Sequence, residues 1–107
     1  MDNQEVYNKV KAHLLSQGRK SLGANGHCAY RGYAGAMCAV GVLIPDAMYL
    51  PSMEGAACTS GRVAEVLDVL GIDHAIARDL QQIHDMVPID IWPDSLAAHA
   101  RHYGLKP

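Results

Sequence analysis

The sequence predicts a small single domain of the α+β class over residues 1–107, with about four helices and one short β-hairpin. Three observations predict it. Four stretches space their apolar residues three and four apart, the signature of one helical face. Between the first two of these, residues 27–49 read HCAYRGYAGAMCAVGVLIPDAMY, where Cys28 and Cys38 bracket a glycine-rich turn. A chain of 107 residues is also the usual size of one domain.

The first helix is expected from about Asn3 to Gln17, with Val6, Tyr7, Val10 and Leu14 on one face and Gly18 ending it. After the polar connection RKSLGANG comes the hairpin. Folding the chain back about Tyr33 sets Cys28 opposite Cys38 and Tyr30 opposite Ala36, with Gly32 and Gly35 relaxing the turn. Each strand would be about four residues long, too short to stand alone. The hairpin must therefore lie on helices or pair with another edge, including one from a partner chain. Cys38 to Ile44 reads equally as a helix that ends before Pro45, and both readings stay open.

Pro45 to Ala57 holds two prolines and a glycine and reads as a structured surface connection. The next helix spans about Gly61 to Leu70, capped by Thr59 or Ser60, with Val63, Val66, Leu67 and Leu70 as its buried stripe. Asp73 caps a third helix carrying Ile76, Leu80, Ile83 and Val87, stopped by Pro88. The last helix runs from about Pro93 to Tyr103, with Leu96, Ala100 and Tyr103 inward and Trp92 docking it onto the core.

Composition narrows the function. Phe is absent and Trp occurs once, so the core is built from Ala, Val, Leu, Ile and Met. A chain of this size buries roughly 65% of its unfolded surface, enough for one modest core. A net charge of −2 is too little positive charge for a duplex-DNA binder and too little negative charge for a DNA mimic. No stretch approaches the apolar length of a membrane span, and the polar N-terminus MDNQEVYNKV is unlike a signal peptide. Three cysteines, an odd number, fit a reducing cytoplasm, the expected location.

Metal chemistry is not expected. His27, Cys28, Cys38, Cys58 and His84 could supply zinc ligands, but no cysteine pair has a tight clip spacing, and His99 and His102 have no nearby partners in sequence. The cysteines read as small core hydrophobes, and a Cys28–Cys38 disulfide would be unusual in a reducing compartment. An enzyme reading pairs Cys38, at a helix N-terminus, with His84 as base and Asp85 as orienter. Adjacent helical side chains project about 100° apart, which argues against Asp85 orienting His84.

The Tyr30–Arg31–Gly32–Tyr33 turn suits recognition directly. Arginine offers a charged fork for phosphate or carboxylate, tyrosines offer stacking faces, and glycine allows close approach. These four residues are the expected ligand-binding site, on a tip that projects from the helical body. His74, Arg78 and Gln82 read as a solvated helix face, and the methionines as gap fillers.

The segments Cys28-Ala-Tyr-Arg31, Cys38-Ala-Val-Gly-Val-Leu-Ile-Pro-Asp46 with Tyr49, Met53-Glu54-Gly55 and Leu80-Gln-Gln-Ile-His-Asp85 carry a resemblance. With them, nearly the whole chain resembles a group of small bacterial and phage-borne proteins with no settled activity. The resemblance transfers no catalytic residue. It implies a phage or prophage accessory context, in which short proteins often inhibit host processes, antiviral defence among them. The expected function is a non-enzymatic binding protein without cofactor, acting on a host protein or a nucleotide-type small molecule, and able to form homo-oligomers. The alternatives are a Cys38–His84 hydrolase or transferase and a structural interaction subunit.

Overall fold

The computed structural model describes residues 1–107. Five helices make up the architecture: α1 (Asn3–Gln17), α2 (Ala39–Leu43), α3 (Gly61–Val69), α4 (His74–Met86) and α5 (Trp92–His102). Single 3-10 turns at residues 33–35, 46–48, 51–53 and 89–91 shape the connections.

Helix α1 starts on a capping box. The Glu5 N–H donates to Asp2 Oδ1 at 2.8 Å, and the Asp2 N–H donates to the Glu5 carboxylate at 3.2 Å. Gly18 ends it in the left-handed region, φ 65°. Val6, Tyr7, Val10 and Leu14 are fully buried, and the Tyr7 hydroxyl donates to the Leu96 carbonyl at 3.0 Å, tying α1 to α5. Helix α4 is the central element, packed against α1, α2 and α5. The Asp73 carboxylate accepts from the N–H groups of Ala75 and Ile76 to start it. Trp92 opens α5, buried, with its indole N–H donating to the Val87 carbonyl at 3.0 Å.

The expected α+β class with one hairpin is corrected: the chain is all-helical and has no strand. Only two isolated antiparallel bridges remain, Leu22 with Cys28 and Arg31 with Met37. The second follows a register different from the one that would face Cys28 with Cys38. The physical reason lies in Cys38–Ile44. The Cys38 sulfur accepts from the Gly41 N–H at 3.3 Å and so caps α2, whose residues Ala39, Val40, Gly41 and Leu43 are all buried. With Val42 partly buried beside these four, every residue of the helix is apolar, the same pattern a buried strand would show. Gly41 is required there, because a methyl group on it would collide with the Tyr30 carbonyl.

Without a second strand, the loop preceding α2 satisfies its backbone through side chains instead. The Glu54 carboxylate accepts from the N–H groups of Tyr30 and Arg31 at 2.9 and 3.0 Å. Arg19 donates to the carbonyls of Tyr33 and Ala34 at 3.2 and 3.1 Å, holding the turn.

Candidate functional site

The expected tip does not project as a unit. Tyr30 is buried and its hydroxyl donates to the Ala56 carbonyl at 2.6 Å. Arg31 turns inward onto the C-terminal end of α2. Its guanidinium donates to the carbonyls of Gly41 and Ile44, the latter at 2.8 Å, and to Asp46 Oδ1 at 3.1 Å. It also stacks 4.9 Å over the Tyr49 ring. The guanidinium fork that could hold a ligand phosphate is therefore spent on the last carbonyls of a helix. Gly32 is a close-packing position: a Cβ there would come within 2.5 Å of Ser21 Oγ and within 2.9 Å of the Leu22 backbone. Tyr33, 63% exposed, is the one side chain of the four that faces solvent freely.

Behind this loop lies a cavity of about 560 Å³. Its wall carries all three cysteines, Cys28, Cys38 and Cys58, together with Tyr30, Gln81 and Asp85; the exposed Asn25 and His27 also line it. The three cysteines come from three separate segments: the loop before α2, the cap of α2 and the connection before α3. None is paired in a disulfide.

One side of this cavity is built by two backbone donors. The Ser21 N–H points at Nε2 of the fully buried His84 at 2.9 Å. A backbone N–H can only donate, so Nε2 must accept, and the ring proton sits on Nδ1. Nδ1 then donates to Asp85 Oδ1 at 2.7 Å. In the same way, the Val40 N–H donates to Gln81 Oε1 at 2.9 Å, which leaves the Gln81 amide nitrogen to donate to the same Asp85 oxygen at 2.8 Å. Asp85 is thus a carboxylate held in one orientation by two side chains whose own orientations are fixed. The expectation from the 100° offset is corrected: adjacent His84 and Asp85 are hydrogen-bonded. Nδ1 lies one atom beyond the ring carbon nearest the helix, so a neighbouring carboxylate folded sideways reaches it.

Protonation follows this geometry. Burial works to raise the Asp85 carboxyl, but hydrogen bonds from His84, Cys28 and Gln81 outweigh it and hold the group below the usual carboxylate range. Burial pushes the Cys28 thiol up to about 11, helped by its hydrogen bond to Asp85 and by that charge. Burial pushes Cys38 up to about 12, against the opposing hydrogen bond from Gly41, and raises Cys58 too.

These values bear on chemistry. Burial and the neighbouring Asp85 carboxylate, which push the Cys28 thiol up to about 11, both oppose formation of its thiolate at neutral pH. Cys38 is buried and more strongly raised, and both ring nitrogens of His84 are committed elsewhere, so the two do not form an activated pair. The same commitment bears on metal binding. Ligand atoms of Cys28, His84 and Asp85 lie within 4.8 Å of one another, but a metal on His84 would have to displace either the Ser21 N–H or the proton given to Asp85. His99 lies on α5, stacked on Tyr7 and tilted 41° against Tyr103.

The sequence offers His84 as a zinc ligand or, with Asp85 as orienter, as a base, and it gives no site role to Ser21, Glu54 or Gln81. For Gln81 a signal exists: it stands four residues before Asp85 on one helix, a spacing at which side chains meet. Comparison of the chain with family models, with curated proteins and with solved structures returns no match.

Proposed function

We propose that this chain is a non-enzymatic binding protein that captures a small nucleotide-type molecule in the three-cysteine cavity, with Tyr30 in its wall and Arg31 bracing the loop that carries it. A cavity of about 560 Å³ falls in the range of small-molecule sites, which combine mostly apolar walls with a few fixed polar groups. The observation that carries the reading is Asp85: a carboxylate locked by His84 and Gln81 on the wall of that cavity. Locking two supporting side chains through two backbone donors is the arrangement expected of a group kept ready for a ligand. The high thiols and the spent imidazole favour capture over catalysis. The resemblance to phage-borne proteins extends the proposal to its use, the withdrawal of a small signal from a host process.

The test is a calorimetric titration of the reduced protein with nucleoside monophosphates, beside the variant Ala57→Trp, which places a large ring at an exposed position of the cavity lining. Saturable binding by wild type that weakens at least tenfold in the variant, at unchanged melting temperature, supports capture in the cavity. Titrations with no saturable heat for any nucleotide, or equal binding by both proteins, sink it.

A further inference from the structure

We infer that the cavity takes the base end of its ligand, holding an N–H donor of a flat heterocycle on the Asp85 carboxylate, with the phosphate end left outside. This rests on the capture reading above and specifies which end of the nucleotide is recognised.

A carboxylate offers about four lone-pair positions. His84 and Gln81 fill two on Oδ1, and the Cys28 sulfur lies within 4.8 Å of a ligand oxygen of the same carboxylate. The positions on Oδ2 are left for the Cys28 thiol and the cavity. No protein cation caps them: the nearby Lys20 ammonium donates to the backbone carbonyl of Asp85 at 3.1 Å, not to its side chain. An uncapped anion repels a phosphate and accepts an N–H. The remaining wall is suited to a planar ring, since Ala29, Tyr30 and the protonated sulfurs of Cys28 and Cys38 give a polarisable, largely uncharged surface. On the same lining, exposed Asn25 and His27 offer polar contacts at the solvent side, where a phosphate can remain hydrated.

The experiment titrates the reduced wild-type protein with adenosine, guanosine and cytidine monophosphates, N6,N6-dimethyladenosine monophosphate, ribose 5-phosphate and putrescine, then repeats the tightest ligand on Asp85→Asn. At least one nucleotide should bind ten times or more tighter than ribose 5-phosphate. Dimethylation should weaken any adenine binding, and Asp85→Asn should weaken the tightest ligand about 10- to 100-fold, the value of a hydrogen bond to a charged group. Ribose 5-phosphate or putrescine binding as tightly as any nucleotide would overturn the inference, as would an unchanged affinity in Asp85→Asn. Should that variant fail to fold, the wild-type ligand series decides alone. Failure of every nucleotide to bind removes the capture reading itself, whereas nucleotide binding indifferent to Asp85 removes only this inference.

Discussion

His84 Nδ1 lies 2.7 Å from Oδ1 of Asp85, the next residue in the chain, while its Nε2 accepts from the Ser21 backbone 63 residues away. One ring therefore joins the loop after α1 to the end of α4 and sets the hydrogen-bonding direction of the cavity carboxylate. Removing it does three things at once: it leaves the Ser21 N–H buried without a partner, empties a packed site beside Trp92, and frees Asp85.

His84→Ala is therefore expected to cost about 2–4 kcal/mol of stability, from an orphaned donor and a cavity together. Urea denaturation at pH 7 measures it. A loss below about 0.5 kcal/mol would mean that the bridge contributes nothing.

Arg31 makes the opposite kind of prediction from the one its residue type suggests. As a clamp on α2 it donates to two carbonyls and one carboxylate and stacks on Tyr49. Arg31→Ala should destabilise the fold by about 2–3 kcal/mol, because those carbonyls lose a charged donor and the stack is emptied. Arg31→Lys should recover only part of this, since a single ammonium cannot span the fork's partners. Thermal unfolding of the three proteins checks the order. An unchanged melting temperature for the alanine variant would return Arg31 to the list of free recognition groups.

The reach of sequence reading here has a physical pattern. Helices α1, α3, α4 and α5 are legible because each buries one stripe and exposes the other, and because Asp73, Gly18 and Pro88 punctuate them. Helix α2 is not legible, because five apolar residues, four of them buried and Val42 partly so, carry no periodicity that separates helix from strand. At the site, Gln81 and Asp85 are readable as a four-residue pair on one face. Ser21 and Glu54 are not, since their roles consist of bonds to residues 63 and 24 positions away. Arg31 misleads for a different reason: a guanidinium suited to phosphate is equally suited to the carbonyls that end a helix.

The turn that Arg19 holds contains the one non-glycine residue in the left-handed region, Ala34 at φ 55°, followed by Gly35 at φ 76°. The two positions should respond with opposite signs. Ala34→Gly removes a left-handed penalty of about 1–2 kcal/mol while adding unfolded-chain entropy of about 0.5–1 kcal/mol, for a net gain of about 0.5–1 kcal/mol. Gly35→Ala meets no atom within 4 Å, so its loss, about 1 kcal/mol, is purely backbone. Paired denaturation curves test both. Equal shifts of the same sign would exclude the backbone explanation.

His99 gives the protein an acid-sensitive term. It is 8% exposed, stacked on Tyr7 and packed at a tilt against Tyr103, and neither ring nitrogen has a hydrogen-bond partner. Burial lowers its pKa, and the nearby Asp79 charge only partly opposes this. The unfolded chain then binds the proton more readily than the folded one. The His99 contribution is fully present above its unfolded pKa of about 6.5 and is lost as pH falls from there toward the folded value. His99→Phe keeps the stack and cannot titrate, so its advantage over wild type should be larger at pH 5 than at pH 8. Urea midpoints at the two pH values supply the comparison, and a pH-independent difference would show that the ring is not desolvated.

Thiol reactivity separates the three cavity cysteines by mechanism. Alkylation needs both a path for the reagent and a thiolate, and burial opposes each of these. Cys38 is the most deeply buried, its thiol sits near 12, and its sulfur caps α2, so it should resist iodoacetamide until the protein unfolds. Cys28 is the more exposed but is held near 11 by burial and by Asp85, so its native labelling should be slow and should quicken in Asp85→Asn, where the carboxylate charge is gone. Intact-mass time courses in native buffer and in urea read out both effects. Rapid native alkylation of Cys38 would mean an open path and a lowered thiol, reviving the nucleophile that the burial of this sulfur argues against.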